Sequence, residues 1–414
     1  MHPFSHSSMR YHAAVLLSAS LLAVGCGGTV SRAADSSPES GLTGSSAANP
    51  SPESGLTGSS AAEQLRAAEP ASPEYGPATS GTNTGSGPAS AGSSHGSSSG
   101  SVSANASAES GTPVSVHGAL SVRGTDLIDG SGNPFQLKGI STHGLAWFPQ
   151  YVSEDAFRTL RDGWGANAVR LAMYTGEYGG YLSGGDRTAL ENLIDQGVQA
   201  TEHLGMYVII DWHILSDGNP NQHTGEAADF FRRMSARYAN RPNVLYEICN
   251  EPNGGTTWAE IKQYADQIIP VIRENSPEAV IICGTPTWSQ DVDQPAGNPL
   301  NRPENVMYAL HFYAATHKDG IRDKLVRARA AGTPVIVSEF SICDASGNGG
   351  IDYESAEAWK RLLKENNISY FSWNLSNKAE TSALLAPGCQ KTADWEDSDL
   401  TETGKWVRSL MLGQ

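Results

Sequence analysis

From about residue 135 onward, two patterns of apolar and polar positions alternate along the chain. Short apolar runs at 135–141, 167–173, 207–213, 244–250, 280–285, 306–313, 335–340 and 369–375 have the length and composition of buried strands. Between most of them the apolar positions recur with helical spacing, at 153–163, 187–204, 223–239, 257–274, 320–331 and 352–366, and a last helical segment is expected near 402–412. Eight strands with intervening helices is the count of a (β/α)8 TIM barrel. Periodicity alone does not show closure, so an open doubly wound sheet is the alternative. The stretch 286–305 carries no clear long helix, and that unit is expected to be irregular. Just upstream, residues 122–134 read as a hairpin with Asp129-Gly130 and Gly132-Asn133 at its turn.

The chain before this domain is different in kind. A weakly basic start is followed by the short apolar core Ala13-Ala-Val-Leu-Leu-Ser-Ala-Ser-Leu-Leu-Ala-Val-Gly25, too short to cross a bilayer and suited to an export signal. Cys26 follows directly and resembles the acylated cysteine of a bacterial lipobox, with Ala23 where leucine is usual. We therefore expect a lipoprotein-type signal peptide over 1–25 and a lipid on Cys26, which would be the chain's contact with a membrane. Residues 26–112 are rich in Ser, Gly, Ala, Pro and Thr and hold too little apolar surface to offset ordering entropy, so they read as a disordered linker. A tandem repeat inside them, Ser37–Ala48 and Ser51–Ala62, has the low complexity of a duplicated linker rather than of a solenoid. Such a linker spans on the order of 50 Å, leaving 113–414 as the folded domain.

Charge narrows the partners. The whole chain carries −16, and from residue 113 onward 25 basic residues face 37 acidic ones, a net charge of −12. That balance disfavours nucleic acid and an anionic membrane surface and is indifferent to a neutral polymer.

Barrel enzymes place their chemistry at the C-terminal ends of strands, and those positions are polar or aromatic throughout: His143, Arg170, Tyr174, Asp211-Trp-His213, Asn250-Glu251, Trp288, His311-Phe-Tyr313, Glu339 and Trp373-Asn374. Two of them are glutamates in equivalent settings. Val244, Leu245, Tyr246 and Ile248 lead to Glu251, stopped by Pro252, so that a carboxylate is expected at a strand's C-terminal tip; Val335, Ile336 and Val337 lead to Glu339 ahead of the turn-rich 344–350. Two carboxylates facing one another across a barrel mouth are what cleavage of a glycosidic bond requires, one to protonate the leaving oxygen and one to supply electrons at the anomeric carbon.

These segments together resemble glycoside hydrolase family 5, in its bacterial endo-β-1,4-glucanase branch. The resemblance covers nearly all of 113–414 and is carried by Leu137-Lys-Gly-Ile-Ser-Thr-His-Gly144, Arg170-Leu-Ala-Met-Tyr-Thr175, Asp211-Trp-His-Ile-Leu-Ser216, Tyr246-Glu-Ile-Cys-Asn-Glu-Pro-Asn-Gly254, His311-Phe-Tyr313, Val337-Ser-Glu-Phe340 and Ser372-Trp-Asn-Leu-Ser-Asn-Lys378. It implies a retaining mechanism with Glu251 as acid/base and Glu339 as nucleophile. It implies further that Arg170 supports the nucleophile, that His213 and Asn250 hold the sugar beside the scissile bond, and that His311 and Tyr313 orient the carboxylates. Trp373 is then a stacking floor, with Lys378 and Glu380 hydrogen-bonding sugars further along; a solvated loop pair is the plainer reading of those two.

Aromatic rings pack on the apolar faces of pyranoses, and Trp147, Tyr174, Trp212, Trp288 and Trp373 lie at or beyond strand ends, suiting a long cleft on a β-glucan polysaccharide. Trp212 is the member best placed to be core instead. A mannanase or xylanase on the same scaffold, and a surface protein that binds without cleaving, are the competing functions. Cys343 and Cys389, in loops after neighbouring strands, are a possible disulfide, whereas Cys249 and Cys283 inside strands read as buried thiols. The histidines have no close-spaced ligand pattern and no phosphate or dinucleotide loop is present, so neither metal nor cofactor is expected. The domain is expected to act as a monomer.

Overall fold

The computed structural model describes residues 111–414; the expected signal segment, Cys26 and the linker up to residue 110 lie outside the described residues. Eight strands, β1 (Lys138–Thr142), β2 (Ala168–Tyr174), β3 (Tyr207–His213), β4 (Val244–Glu247), β5 (Ile281–Cys283), β6 (Val306–Tyr313), β7 (Val335–Ser341) and β8 (Tyr370–Leu375), pair in chain order, all parallel. β8 returns to pair with β1, from Tyr370 beside Lys138 to Trp373 beside Ser141, so the sheet is a closed barrel and the open alternative is excluded.

Helices α1 (Glu154–Arg158, running on as a π-turn over Thr159–Gly163), α2 (Arg187–His203), α3 (Thr224–Arg237), α4 (Trp258–Arg273), α5 (Asp319–Ala330), α6 (Tyr353–Glu365) and α7 (Glu402–Leu412) fall where the apolar spacing places them. Several begin at side chains suited to the task. Ser153, Asp186, Asp352 and Thr401 accept from backbone N–H groups of the first turn, and Thr257 with Glu260 forms a capping box on α4. After β5 there are only short turns, Pro286–Ser289 and Gln294–Gly297, the irregular unit anticipated from the sequence.

Side chains alternate across a strand, and that alternation builds the barrel interior in layers. At the bottom, Ala168, Tyr207, Ile209, Leu245, Ile282, Met307, Ala309, Ile336 and Phe371 form an apolar floor. Gly139 belongs there because a β-carbon on it would sit 2.0 Å from the Phe371 ring. Two residues further along the same strands the inward positions become Arg170, Asp211, Glu247 and His311, all buried. Nearer the strand ends come Tyr174, His213, Tyr313 and Trp373, at the mouth.

Several details correct the sequence reading or decide between the alternatives it left open. The N-terminal ribbon pairs Ser121–Arg123 with Asp126–Ile128 and turns first at Gly124-Thr125, with Gly124 at φ 61°; the expected turn at 129–133 is also present, closed by Asp129 accepting from the Ser131 and Asn133 N–H groups and by an antiparallel bridge from Ile128 to Pro134. β4 ends at Glu247, so Glu251 stands on a loop rather than at a strand tip. Its chain leaves β5 after the Ile248 N–H bonds to the Ile282 carbonyl and crosses to β3, where the Asn250 N–H bonds to the Trp212 carbonyl. Trp212 is core, packed among Tyr181, Phe230 and Phe231. Cys343 and Cys389 are both free, because the Cys343 thiol is turned to the Ser341 hydroxyl and that of Cys389 to the Lys391 carbonyl; Cys249 and Cys283 are free and buried.

Candidate active site

Arg170, at the centre of the charged layer, is fully buried and spends its guanidinium on five partners, one of them the Ser141 hydroxyl at 3.4 Å from Nη1. Nε donates to Glu247 Oε2 (2.8 Å), Nη1 to Glu339 Oε2 (3.2 Å), and Nη2 to Asn250 Oδ1 (2.6 Å) while lying 3.0 Å from Asp211 Oδ2. Burial works against its charge, but Asp211, Glu247 and Glu339 together outweigh it and hold the group cationic. Glu247 is shifted the other way. Burial alone would raise its pKa, yet the charge and hydrogen bond of Arg170 and the nearby His311 bring it down to about 2.

Glu339 is held at both oxygens, Oε2 by Arg170 and Oε1 by the Tyr313 hydroxyl at 2.8 Å. Burial and the neighbouring Glu251 charge push its pKa above the ordinary carboxylate value, and His311, Arg170 and the Tyr313 bond work in the opposite direction. Tyr313 itself is kept a phenol, and so a donor, by burial and the two carboxylates. Across the mouth, His311 Nδ1 lies 2.9 Å from Glu251 Oε1 and its Nε2 lies 2.9 Å from Ser338 Oγ. Burial opposes a charge on His311, but Glu247, Glu251 and Glu339 overcome this and raise its pKa to about 9, so the ring is an imidazolium at neutral pH.

A bulge makes this arrangement possible. Between the pairs Ala309–Ile336 and His311–Glu339, β7 carries one more residue than β6, and β8 sees the same extra residue between Val337 and Phe340. The insertion lets two consecutive residues, Ser338 and Glu339, both turn inward, which a regular strand forbids.

Oxygen atoms of Glu251 and Glu339 and a ring nitrogen of His311 all lie within 4.8 Å of one another. The two carboxylates thus face one another closely enough to act on the two sides of one bond. The same three groups have the spacing of metal ligands. Their chemistry fits a proton better, since His311 would have to surrender the hydrogen that faces Glu251, and Glu339 already has a guanidinium beside it.

His213 joins this network to an aromatic wall. Its Nδ1 lies 2.6 Å from Asp211 Oδ2, and burial, then the Arg170 charge, keep the ring neutral. Trp373 stacks on it at 5.2 Å, Tyr174 meets it edge-on at 4.2 Å, and Trp147 stacks on Tyr174 at 4.9 Å. His143, neutral through burial and the Lys378 charge, has its ring 5.1 Å from that of Trp373 and its Nε2 3.3 Å from Lys378 Nζ. Lys378 pairs with Glu380 at 2.7 Å, and Glu380 in turn is fixed by Asn374 and Ser382. This wall is made by β1, β2 and β8. Trp288, 37% exposed, follows β5 on the opposite side of the barrel, on a left-handed turn (φ 54°) anchored by its N–H to the Pro252 carbonyl and by the Ser289 hydroxyl to the Asn250 carbonyl.

The residues singled out from the sequence therefore fall into three groups: Arg170, His213, Asn250, Glu251, His311, Tyr313 and Glu339 in one bonded network, His143, Tyr174, Trp373, Lys378 and Glu380 on the wall beside it, and Trp288 apart on the facing rim. Sequence reasoning missed Glu247 and Ser338. A charge inside the apolar run Val244-Leu-Tyr-Glu-Ile248 was the available signal for the first; nothing local marks the second, whose inward turn depends on the bulge.

With this geometry in place, comparison with known proteins is specific. The family model described as cellulase (glycosyl hydrolase family 5) matches residues 128–379. An endoglucanase of Clostridium saccharobutylicum is 49% identical over 300 residues, covering 72% of this chain and 66% of the relative. Endoglucanase 5 of Pectobacterium carotovorum subsp. carotovorum is 46% identical over 300 residues, covering 72% of this chain and 58% of that protein. The crystal structure of the catalytic domain of Thermobifida fusca endoglucanase Cel5A aligns with a TM-score of 0.70 at 40% identity, covering 73% of this chain and 100% of that one. The chain thus spans less than about two thirds of the length of the two curated relatives.

Tyr313→Phe removes the hydroxyl that donates to Glu339 while leaving the ring. A bond to the charged form is lost, so the Glu339 carboxyl should titrate at higher pH than in the unaltered protein, as read by carbon-13 NMR of labelled glutamate. An unchanged or lower titration point would show that the Tyr313 contact carries no weight.

Proposed function

The chain belongs to glycosyl hydrolase family 5, and from that membership we propose that it is a retaining endo-β-1,4-glucanase acting on cellulose or related β-glucans. The observation that carries the reading is the Glu251–Glu339 pair, with oxygens within 4.8 Å and each carboxylate gripped by its own donors. The relatives' names as endoglucanases support the glucan over mannan or xylan, and the net charge of −12 from residue 113 onward suits a neutral polymer.

In this reading Glu339 attacks the anomeric carbon as Glu251 gives its proton to the departing glycosidic oxygen, so that one C–O bond forms while another breaks. Arg170 and Tyr313 hold the attacking carboxylate in line and free of rotation. Once Glu339 is an ester its charge is gone, and Glu251, now an anion beside the His311 imidazolium, takes a proton from water, whose oxygen displaces Glu339 with a second inversion. Asn250 uses one amide hydrogen on the Ile214 carbonyl, at 3.1 Å, and keeps the other for the sugar's 2-hydroxyl. Neutral His213 contacts the same sugar. Trp373, with Trp147 and Tyr174, gives apolar faces for sugars on one side of the bond, His143, Lys378 and Glu380 supply hydrogen bonds there, and Trp288 is a platform on the other side. No step calls for a metal or an organic cofactor.

Product release from carboxymethylcellulose, lichenan, xylan and mannan tests the substrate class. We expect turnover of the first two, at least about tenfold faster in kcat/KM than of the others, a margin of about 1.4 kcal/mol in transition-state binding. Faster release from mannan or xylan would replace the glucanase reading, and binding without release from any of the four would make the protein a carbohydrate-binding module.

For the N-terminal region we propose that residues 1–25 direct export, that Cys26 is acylated and that 26–112 form a tether. The support is the apolar segment ending at Gly25-Cys26. In a bacterial host fed a labelled fatty acid, the full chain should take up label and Cys26→Ser should not. Label on both proteins, or on neither, would remove the lipid anchor.

A further inference from the structure

Glu247 touches both halves of the charged network. Its Oε2 accepts from Arg170 Nε at 2.8 Å, and its Oε1 accepts from Ser338 Oγ at 2.7 Å and lies 3.8 Å from His311 Nε2. The Ser338 hydroxyl has a single hydrogen. Given to Glu247, it leaves Ser338 able only to accept from His311, which fixes a hydrogen on Nε2 of that ring. Two states of His311 remain. A neutral ring has a bare Nδ1, which would draw the proton of Glu251 onto Oε1 and away from the cleft. An imidazolium instead donates from Nδ1 to Oε1, so a proton on Glu251 must sit on Oε2, which has no hydrogen-bond partner among the described residues. Only the second state leaves an acid proton free for a leaving group.

The charges around His311 decide between these states. The anions facing it are Glu247 from β4, Glu251 from the loop beyond and Glu339 from β7; Asp211 on β3 also faces it, with a pKa that burial raises well above normal, Arg170 on β2 is the cation, and burial keeps His213 and His317 neutral. Two of those anions do not persist through the reaction. Glu251 is neutral when it acts as acid, and Glu339 is neutral when it carries the sugar. Asp211 is engaged by Arg170 and His213. Glu247 lies one layer below the chemistry and keeps its charge throughout.

We propose that Glu247 is a positioning residue for proton delivery: acting through Ser338, it keeps His311 doubly protonated across the whole cycle and so presents the Glu251 proton on Oε2. The proposal rests on the reading of Glu251 as acid/base. It adds a role that neither Arg170 nor His311 can fill alone, that of a counter-ion whose charge the reaction never consumes.

The test compares the wild-type protein with Glu247→Gln and Ser338→Ala on two substrates, cellotetraose, whose leaving group needs a proton, and 2,4-dinitrophenyl β-cellobioside, whose leaving group does not. The value of kcat/KM reports bond cleavage to the glycosyl-enzyme in both. Glu247→Gln should lose on the order of 100-fold on cellotetraose and less than about fivefold on the aryl glycoside. Removing a negative charge lowers the apparent pKa values of the Glu251–His311 pair, so the basic limb of the cellotetraose profile should move down by about one pH unit. Ser338→Ala, which frees the tautomer but leaves the charge, should show the same substrate dependence at about 3–10-fold, and it decides the matter if Glu247→Gln does not fold. Equal losses on the two substrates, or a basic limb that stays in place, would make Glu247 a structural partner of Arg170 and overturn the proposal. Undiminished cleavage of cellotetraose by Glu251→Ala is a separate outcome that would remove the acid/base reading beneath it.

Discussion

A guanidinium without water is the constraint on which the barrel mouth depends. Taking Arg170 and its anionic neighbours out of solvent costs several kcal/mol per ion, and that cost is recovered only if nearly every donor and acceptor is matched. Arg170 meets the condition by reaching Glu247, Glu339, Asn250 and Asp211 at once. Each partner is thereby fixed in place. Asn250 brings its loop, and hence Glu251, across the mouth. Asp211 orients His213, against which Trp373 stacks, and Glu247 reaches His311 through Ser338. Among the described residues Asp211 Oδ1 is buried without a partner, and burial raises that residue's pKa well above normal.

The layering of the barrel explains why so many charges can be buried without dissolving the fold. Apolar floor residues and the sheath between strands and helices supply the stability, while the inward positions two residues further along are released for polar use. Rigidity follows from the same arrangement, because Arg170, His213, His311, Tyr313 and Glu339 all lie on strands held by parallel neighbours. A site of this kind stabilises developing charge with groups already in position, which is where most of the rate of such enzymes arises.

Much of this was legible in the residues, and the parts that were not have identifiable causes. The apolar runs located every barrel strand because a strand covered on both faces leaves an uninterrupted signal, and Tyr207–His213 and Val306–Tyr313 fall within the expected bounds to the residue. Where polar residues took over, the boundaries slipped: 244–250 reads as one strand, but the hydrogen bonds change partner after Ile248. Glu339 stood out because it ends an apolar run, whereas Ser338 beside it did not, since alternation assigns neighbours to opposite faces and the β7 bulge breaks that rule. The residues leave the pairing of Cys343 with Cys389 open for a related reason, and both are free. Loop adjacency follows from topology, but the direction in which each thiol points does not.

The central claim is that Glu251 and Glu339 divide the chemistry between them, and replacing each in turn with azide present tests it most directly. In Glu251→Ala an activated aryl cellobioside still forms the ester at Glu339, and azide, which needs no base, releases it from the opposite face as the β-glycosyl azide. In Glu339→Ala no ester forms, and azide filling the vacated space attacks the substrate itself to give the α-glycosyl azide. Proton NMR of the anomeric position separates the two products. The assignment predicts β from Glu251→Ala and α from Glu339→Ala; the reverse pair of anomers would contradict it.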